Sequence, residues 1–273
     1  MKRILTLALA VLMIATCVVS FASCSKDPYK DLTYVDLGLE REYFGIAFRS
    51  GSDLTRKVED ITLELIKDGK LAELSEKYGV GAVGKDEYTP KADACSGSTD
   101  FAEIKAKGKL VIGITDYKPM DYQENGEWVG FDADYARLVC EKLGVTAEFR
   151  EIDWDNKLLE LEGKTIDCIW NGMTITEAIE NAADCTQPYM YNTQVAVIKK
   201  DMADTYKDLA SLAGKKLAAE GGSAGETVIK ENATLAGGLK AVTGQTDAIL
   251  EVLSGTSDAA IVDLTLAKAL IKK

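Results

Sequence analysis

The sequence predicts an α/β protein with mostly parallel sheets, and three observations carry that expectation. From Asp100 onward, short apolar strands alternate with amphipathic helical segments, the pattern of βαβ units. The length of 273 residues is enough for two modest lobes, each with its own buried core. The composition, 47% hydrophobic and 28% charged, is that of an ordinary globular chain.

Residues 1–23 read as a secretory signal peptide. Lys2 and Arg3 precede an apolar run from Ile4 to Ala22, and small residues follow. Phe21-Ala22-Ser23-Cys24 resembles a bacterial lipobox, although Phe21 departs from the usual leucine. That resemblance implies that Cys24 carries a lipid and anchors the mature chain to the membrane. No later run reaches about 18 apolar residues, so no other segment is expected to span a membrane.

Leu32 to Leu37 and Tyr43 to Arg49 read as strands, and Ser50-Gly51-Ser52 as a turn. Asp53 to Lys67 reads as a helix with Leu54, Val58, Ile61, Leu63 and Leu65 giving an apolar side; Leu71 to Tyr78 is a second, ended by Gly79. Residues 80–99 lose all periodicity and are rich in Gly, Ser, Asp and Pro, which reads as a linker. Strands are then expected at 110–115, 147–152, 165–170, 194–199, 217–219 and 259–262. Helices are expected at 101–107, 130–143, 157–161, 176–183, 225–232, 247–253 and 264–272. In such sheets, ligands sit at the carboxyl ends of the strands.

The formal net charge of −12 repels phosphate backbones, so nucleic acid is not an expected partner. The chain has no histidine, which excludes a His-based triad, a His-ligated zinc site and a histidine pH switch. No metal site or cofactor is expected. Cys95, Cys140, Cys168 and Cys185 fit no zinc spacing; disulfides and buried free thiols are both open.

Five segments stand out: Gly-Phe-Asp-Ala-Asp-Tyr-Ala-Arg-Leu-Val-Cys at 130–140, Ile-Asp-Cys-Ile-Trp-Asn-Gly-Met-Thr-Ile-Thr at 166–176, Gln-Pro-Tyr-Met-Tyr-Asn-Thr-Gln-Val at 187–195, Gly-Gly-Ser-Ala-Gly-Glu at 221–226 and Asp-Ala-Ala-Ile-Val-Asp at 258–263. Together, in this order, they resemble the polar amino-acid-binding family of extracellular solute-binding proteins. The resemblance implies a two-lobed periplasmic-binding-protein fold with a two-stranded hinge. The order of segments departs from the family: the strand resembling Glu42 to Arg49 and its helices to Tyr78 come first here and last there. That implies a circular permutation, with residues 80–99 joining the family's usual ends. Lobe one is then 41–193. Lobe two combines residues 24–40, which include the anchor and tether, with 194–273. The hinge lies near 38–42 and 191–195.

The resemblance also implies a site. Asp263 matches the aspartate that accepts from a ligand ammonium, and Thr174 a pocket hydroxyl. Asn171 and Gly172 match a polar side chain and a backbone donor. Ser223 and Ala224 match the helix start that faces a carboxylate. Tyr117 and Trp154 match aromatic faces that sandwich the ligand; Trp170 is open between core and rim. The arginine that clamps the α-carboxylate is replaced by Ile179, and isoleucine cannot make its paired N–H bonds. Arg49, Arg137 or Arg150 reaching in, helix-start N–H groups, or a ligand without an α-carboxylate would reconcile that departure. The implied function is capture of a small polar solute, such as an amino acid, by a monomer that hands it to the permease of an ABC transporter. A surface sensor on the same fold is the alternative. An enzyme using Glu177, Glu180 or Glu226 is a lesser one.

Overall fold

The computed structural model describes residues 27–91 and 98–272; the leader, Cys24 and Cys95 lie outside them. In chain order the elements are β1 (Leu32–Asp36), β2 (Glu42–Arg49), α1 (Asp53–Lys67), α2 (Lys70–Tyr78), α3 (Asp100–Lys107), β3 (Lys109–Ile114), β4 (Tyr122–Glu124), β5 (Glu127–Val129), α4 (Phe131–Leu143), β6 (Thr146–Glu151), α5 (Lys157–Glu162), β7 (Cys168–Thr174), α6 (Glu177–Ala182), β8 (Ala183–Cys185), β9 (Met190–Asn192), β10 (Gln194–Lys199), β11 (Leu217–Glu220), α7 (Ala224–Glu231), β12 (Leu239–Val242), α8 (Gln245–Ser254), β13 (Ala259–Asp263) and α9 (Leu264–Leu270).

Two sheets organise the chain. One runs β6-β3-β7-β2-β8, with β9 also on β2; the other runs β1-β10-β13-β11-β12. The early strand β2 therefore lies inside the first sheet, paired antiparallel with β7, β8 and β9. Its residues alternate as a two-sided strand requires. Phe44, Ile46 and Phe48 point to the core shared with Leu54 and Val58 of α1, while Ala47 points to the opposite core with Val111, Ile169 and Leu161. In the second sheet Ala196 and Ile198 of β10 join a core with Leu217, Ile229 and Ile261. The chain passes between the sheets twice, at 37–41 between β1 and β2 and at Thr193 between β9 and β10.

The sheets are mixed, not mostly parallel. β3 runs parallel to β6 and β7, and β11 parallel to β12 and β13, but β2 and β10 run antiparallel to every neighbour. These two strands each adjoin a crossing, so they enter their sheets from the opposite end. The strand expected at 165–170 begins three residues later. Asp167 instead turns its carboxylate to the Val111 N–H at 2.8 Å and to Lys107 at 2.7 Å. The short strands β4, β5, β8, β9 and β12 carry too little periodicity to announce themselves.

Residues 80–91 pack onto the first sheet. The Val83 N–H donates to the Tyr189 carbonyl at 2.9 Å, the Tyr88 ring is buried, and the Lys91 N–H donates to Glu59 at 2.7 Å. Cys140, Cys168 and Cys185 are buried free thiols. Among the described residues no helix is long and apolar enough to cross a membrane, and no cluster of His, Cys, Asp and Glu could hold a metal. Trp170 is fully buried, edge-on to Tyr135 with ring centroids 4.7 Å apart, which settles it as core. Trp170→Ala should therefore cost about 3–5 kcal/mol of stability, measured by urea unfolding.

Candidate binding site

A cavity of about 180 Å³ lies where the two sheets meet, and Tyr117, Trp154, Asn171, Gly172, Thr174, Ser223, Ala224 and Asp263 all line it. A larger hollow of about 640 Å³ lies against the crossings, but its charged side chains, Asp36, Arg41 and Lys268, are exposed. Among the described residues six buried polar side chains, Lys157, Asn171, Glu220, Ser223, Gln245 and Asp263, converge on the smaller cavity against one, Asn192, on the larger, so the smaller is the candidate site.

Asp263 ends β13 and is 4% exposed. Its Oδ1 accepts from Asn192 Nδ2 at 2.5 Å and Gln194 Nε2 at 2.6 Å, and its Oδ2 from Gln245 Nε2 at 2.5 Å. Glu42, at the start of β2, accepts from the same Asn192 and Gln194 amides at 3.1 and 2.9 Å, and from the Thr174 hydroxyl at 3.3 Å. Burial, and then the Asp263 charge, push the Glu42 carboxyl up to about 7. Burial raises Asp263 too, against the pull of its amide donors.

Glu220 ends β11 and also lines the cavity, 3% exposed, with no hydrogen-bond partner for Oε1 among the described residues. Burial first, and the Asp263 charge second, push its carboxyl up to about 8. Lys157, 7% exposed at the start of α5, is the cation in the lining. Its Nζ lies 4.9 Å from the Trp154 ring centroid and donates to the Trp154 carbonyl at 3.0 Å and, across the cleft, to the Gly222 carbonyl at 2.8 Å. Burial lowers its pKa, opposed by Glu220 and other acids.

Two expected roles change on contact with the geometry. The Gly172 N–H does not face the cavity; it donates to Asp132 Oδ2 at 2.6 Å. What Gly172 supplies is space. It sits at φ 55°, and a methyl there would lie 2.6 Å from Tyr117 Cε1. Arg49, Arg137 and Arg150 do not reach the cavity. Arg49 pairs with Asp100 and Asp167, Arg137 with Asp134, and Arg150 with Glu148. Ile179 lines the cavity as an apolar wall.

The helix start at α7 is already furnished. Ser223 Oγ accepts from the Glu226 N–H at 3.2 Å, and Glu226 Oε2 accepts from the Gly222 N–H at 2.9 Å, in the manner of a capping box. Asn171 donates to the Thr115 hydroxyl at 2.7 Å. Glu177 and Glu180 are exposed and outside the lining. Sequence reading missed Lys157, Glu220, Glu42 and Gln245. Only Glu220 carried a signal: an acid closing the apolar run Leu217-Ala218-Ala219, at a carboxyl strand end.

Glu220 should make the ligand-free protein pH-sensitive. Its folded pKa of about 8 lies above the ordinary 4.5, so its protonated form favours folding. That contribution is full below about 4.5 and fades as pH rises through about 8. Glu42 and Asp132, each raised to about 7, act in the same direction. The thermal midpoint should fall between pH 5 and 8.5, and Glu220→Gln should flatten that fall, as read by calorimetry.

Comparison with known proteins agrees with this architecture. The family "Bacterial extracellular solute-binding proteins, family 3" matches residues 110–269. The L-cystine-binding protein TcyJ of Escherichia coli is 30% identical over 175 residues, 63% of this chain and 65% of its own, so the chain spans just under two thirds of that relative. The arginine-binding extracellular protein ArtP of Bacillus subtilis is 30% identical over 181 residues, 66% of this chain and 70% of its own. Among solved structures, the arginine-bound truncated ArgBP of T. maritima superposes with a TM-score of 0.59 at 34% identity, covering 62% of this chain and 79% of that one. An ancestral amino acid-binding protein, a precursor of cyclohexadienyl dehydratase, gives 0.57 at 34%, covering 60% and 73%. With its two mixed sheets, its double crossing and a family match over residues 110–269, the chain belongs to the bacterial extracellular solute-binding proteins, family 3.

Proposed function

We propose that the protein works outside the cytoplasm, capturing a small polar solute of the amino-acid class between its lobes and delivering it to the permease of an ABC-type importer. The observation that carries this reading is Asp263. It is a buried carboxylate at the carboxyl end of a strand, in a cavity at the junction of two sheets, where a ligand ammonium would complete its donors. Tyr117 and Trp154 supply faces for the ligand's stem, and Asn171, Thr174, Ser223 and Ala224 supply polar rim. Relatives named for binding cystine and arginine support the solute class. The lobes divide at the two crossings, lobe one running 41–193 and lobe two combining 24–40 with 194–273. Lipidated Cys24 tethers the body, a monomer, to the membrane.

The chain is a circular permutation of the family's order. Support comes from β1 and β2, which complete the two sheets from positions N-terminal to the matched span of 110–269. A protease site inserted within 92–97 should, after cleavage, leave two fragments that co-elute with an unchanged circular dichroism spectrum, since β2 and α1 pack in the first lobe. Separation of the fragments in native buffer would refute the permutation.

Ile179 favours one competing reading, a surface sensor that keeps the fold but binds ligand only weakly. A thermal-shift screen of amino acids, amines, betaines and short peptides separates the two. A ligand at a hundredfold excess over its Kd adds about 2.7 kcal/mol of stability. Asp263→Ala should weaken such binding by about 2–5 kcal/mol in titration calorimetry. Unchanged affinity would remove Asp263 from the site, and no shift with any solute would favour the sensor.

A further inference from the structure

We infer that Glu220 is a subsite for a second cationic group, so that the cleft takes a small solute carrying two amine- or guanidine-type groups, one at Asp263 and one at Glu220. This rests on the reading of Asp263 as an ammonium partner. The charged side chains lining the cavity are Glu220, Asp263 and Lys157, an excess of acid, and Glu42 stands directly behind, bonded to Thr174 of the lining. Asp263 has three amide donors, whereas Glu220 Oε1 has no hydrogen-bond partner among the described residues. A buried carboxylate oxygen without a donor is costly, and such an atom in a binding cavity marks where a donor belongs.

Lys157 does not fill that need, because its hydrogen bonds go to the carbonyls of Trp154 and Gly222. The rest of the wall suits the stem of such a solute. Leu158, Met173 and Ile179 are apolar, and the Trp154 and Tyr117 rings offer faces to methylenes or to a cation. The two sources of this chemistry are basic amino acids and diamines. They differ in the α-carboxylate, for which the site offers little: Ile179 replaces the clamp, and the Gly222 N–H already serves Glu226. The raised pKa of Glu220 adds a signature, since a cation seated against it expels a proton near neutral pH.

The test is titration calorimetry of the purified protein with lysine, ornithine, arginine, cadaverine and putrescine, against norleucine and glutamine as neutral controls. Two-cation solutes should bind about 100-fold tighter than norleucine. Glu220→Gln should reduce that preference to less than about tenfold. Enthalpies in two buffers of different ionisation heat should report proton release with the wild-type protein and less with Glu220→Gln. Lysine ahead of cadaverine identifies a basic amino acid; cadaverine ahead of lysine identifies a diamine. Neutral solutes binding as tightly as lysine, or a preference that survives Glu220→Gln, would overturn the subsite. If binding is still lost in Asp263→Ala, that result leaves the solute-capture reading standing. No binding by any of these solutes would overturn the subsite, and the broader thermal-shift screen then decides the capture reading separately.

Discussion

The burial of the Asp263 carboxylate at the junction of two sheets is the constraint on which the rest depends. An isolated ionised carboxylate cannot be taken from water without replacement donors. Three side-chain amides replace that water, from Asn192 on β9, Gln194 on β10 and Gln245 at the start of α8. The first two flank Thr193, where the chain passes from one sheet to the other. One charge thus binds the crossing, the end of β13 and the start of α8 into a single unit. Glu42, which follows the other crossing, accepts from the same two amides. Any change in the angle between the sheets must move these donors relative to the two acids. A cation seated at Asp263 would therefore act on the same contacts that fix that angle.

The signature at 130–140 serves this arrangement without touching the cavity. Gly130 is required because a methyl there would lie 2.1 Å from the Met120 carbonyl oxygen. Its tight approach brings the Phe131 and Asp132 N–H groups onto the carbonyls of Pro119 and Met120. Asp132 is fixed by that contact and in turn holds the Gly172 N–H and the Tyr189 hydroxyl, at 2.6 and 2.8 Å. The end of β7, residues 171–174, keeps its course because an acid outside the cavity anchors it from behind. The motif is a positioning device, and its spacing is dictated by the backbone it holds.

This division explains what could be read from the chain. The eight residues matched by resemblance, six of them inside the quoted segments, all line one cavity, because such positions record backbone geometry that repeats with the fold. The helices at 53–67 and 131–143 were legible because each buries one face and so keeps a 3.6-residue period. Lys157, Gln245 and Glu42 were not legible as site residues. Each sits at the start of a helix or strand, where polar residues are ordinary, and only the meeting of the two sheets brings them together. The Gly172 N–H was assigned to the ligand because spacing cannot say which way an amide points when a buried acid competes for it. The direction of β2 and β10 was missed for a similar reason, since alternation along a strand carries no information about its neighbour's direction.

The site's electrostatics are lopsided in a way that constrains how it can close. Several of the places where an anion could be held are committed. Ile179 is apolar, Lys157 is turned to two carbonyls, and the start of α7 already faces Glu226. Glu226 is itself paired with Lys230 at 2.8 Å, so it has no reason to vacate that position. The acids, in contrast, crowd one another: Glu42 and Glu220 each feel the Asp263 charge as their second-largest upward push. Mutual repulsion of this kind weakens whenever a cation enters or a proton binds, and it strengthens as the cavity dries. Lys157, at the start of α5, bonds to the Gly222 carbonyl after β11, and that bond ties the two sides of the cavity together beside these acids. Attraction at the rim thus opposes repulsion inside, and positive charge placed in the cavity would relieve that repulsion.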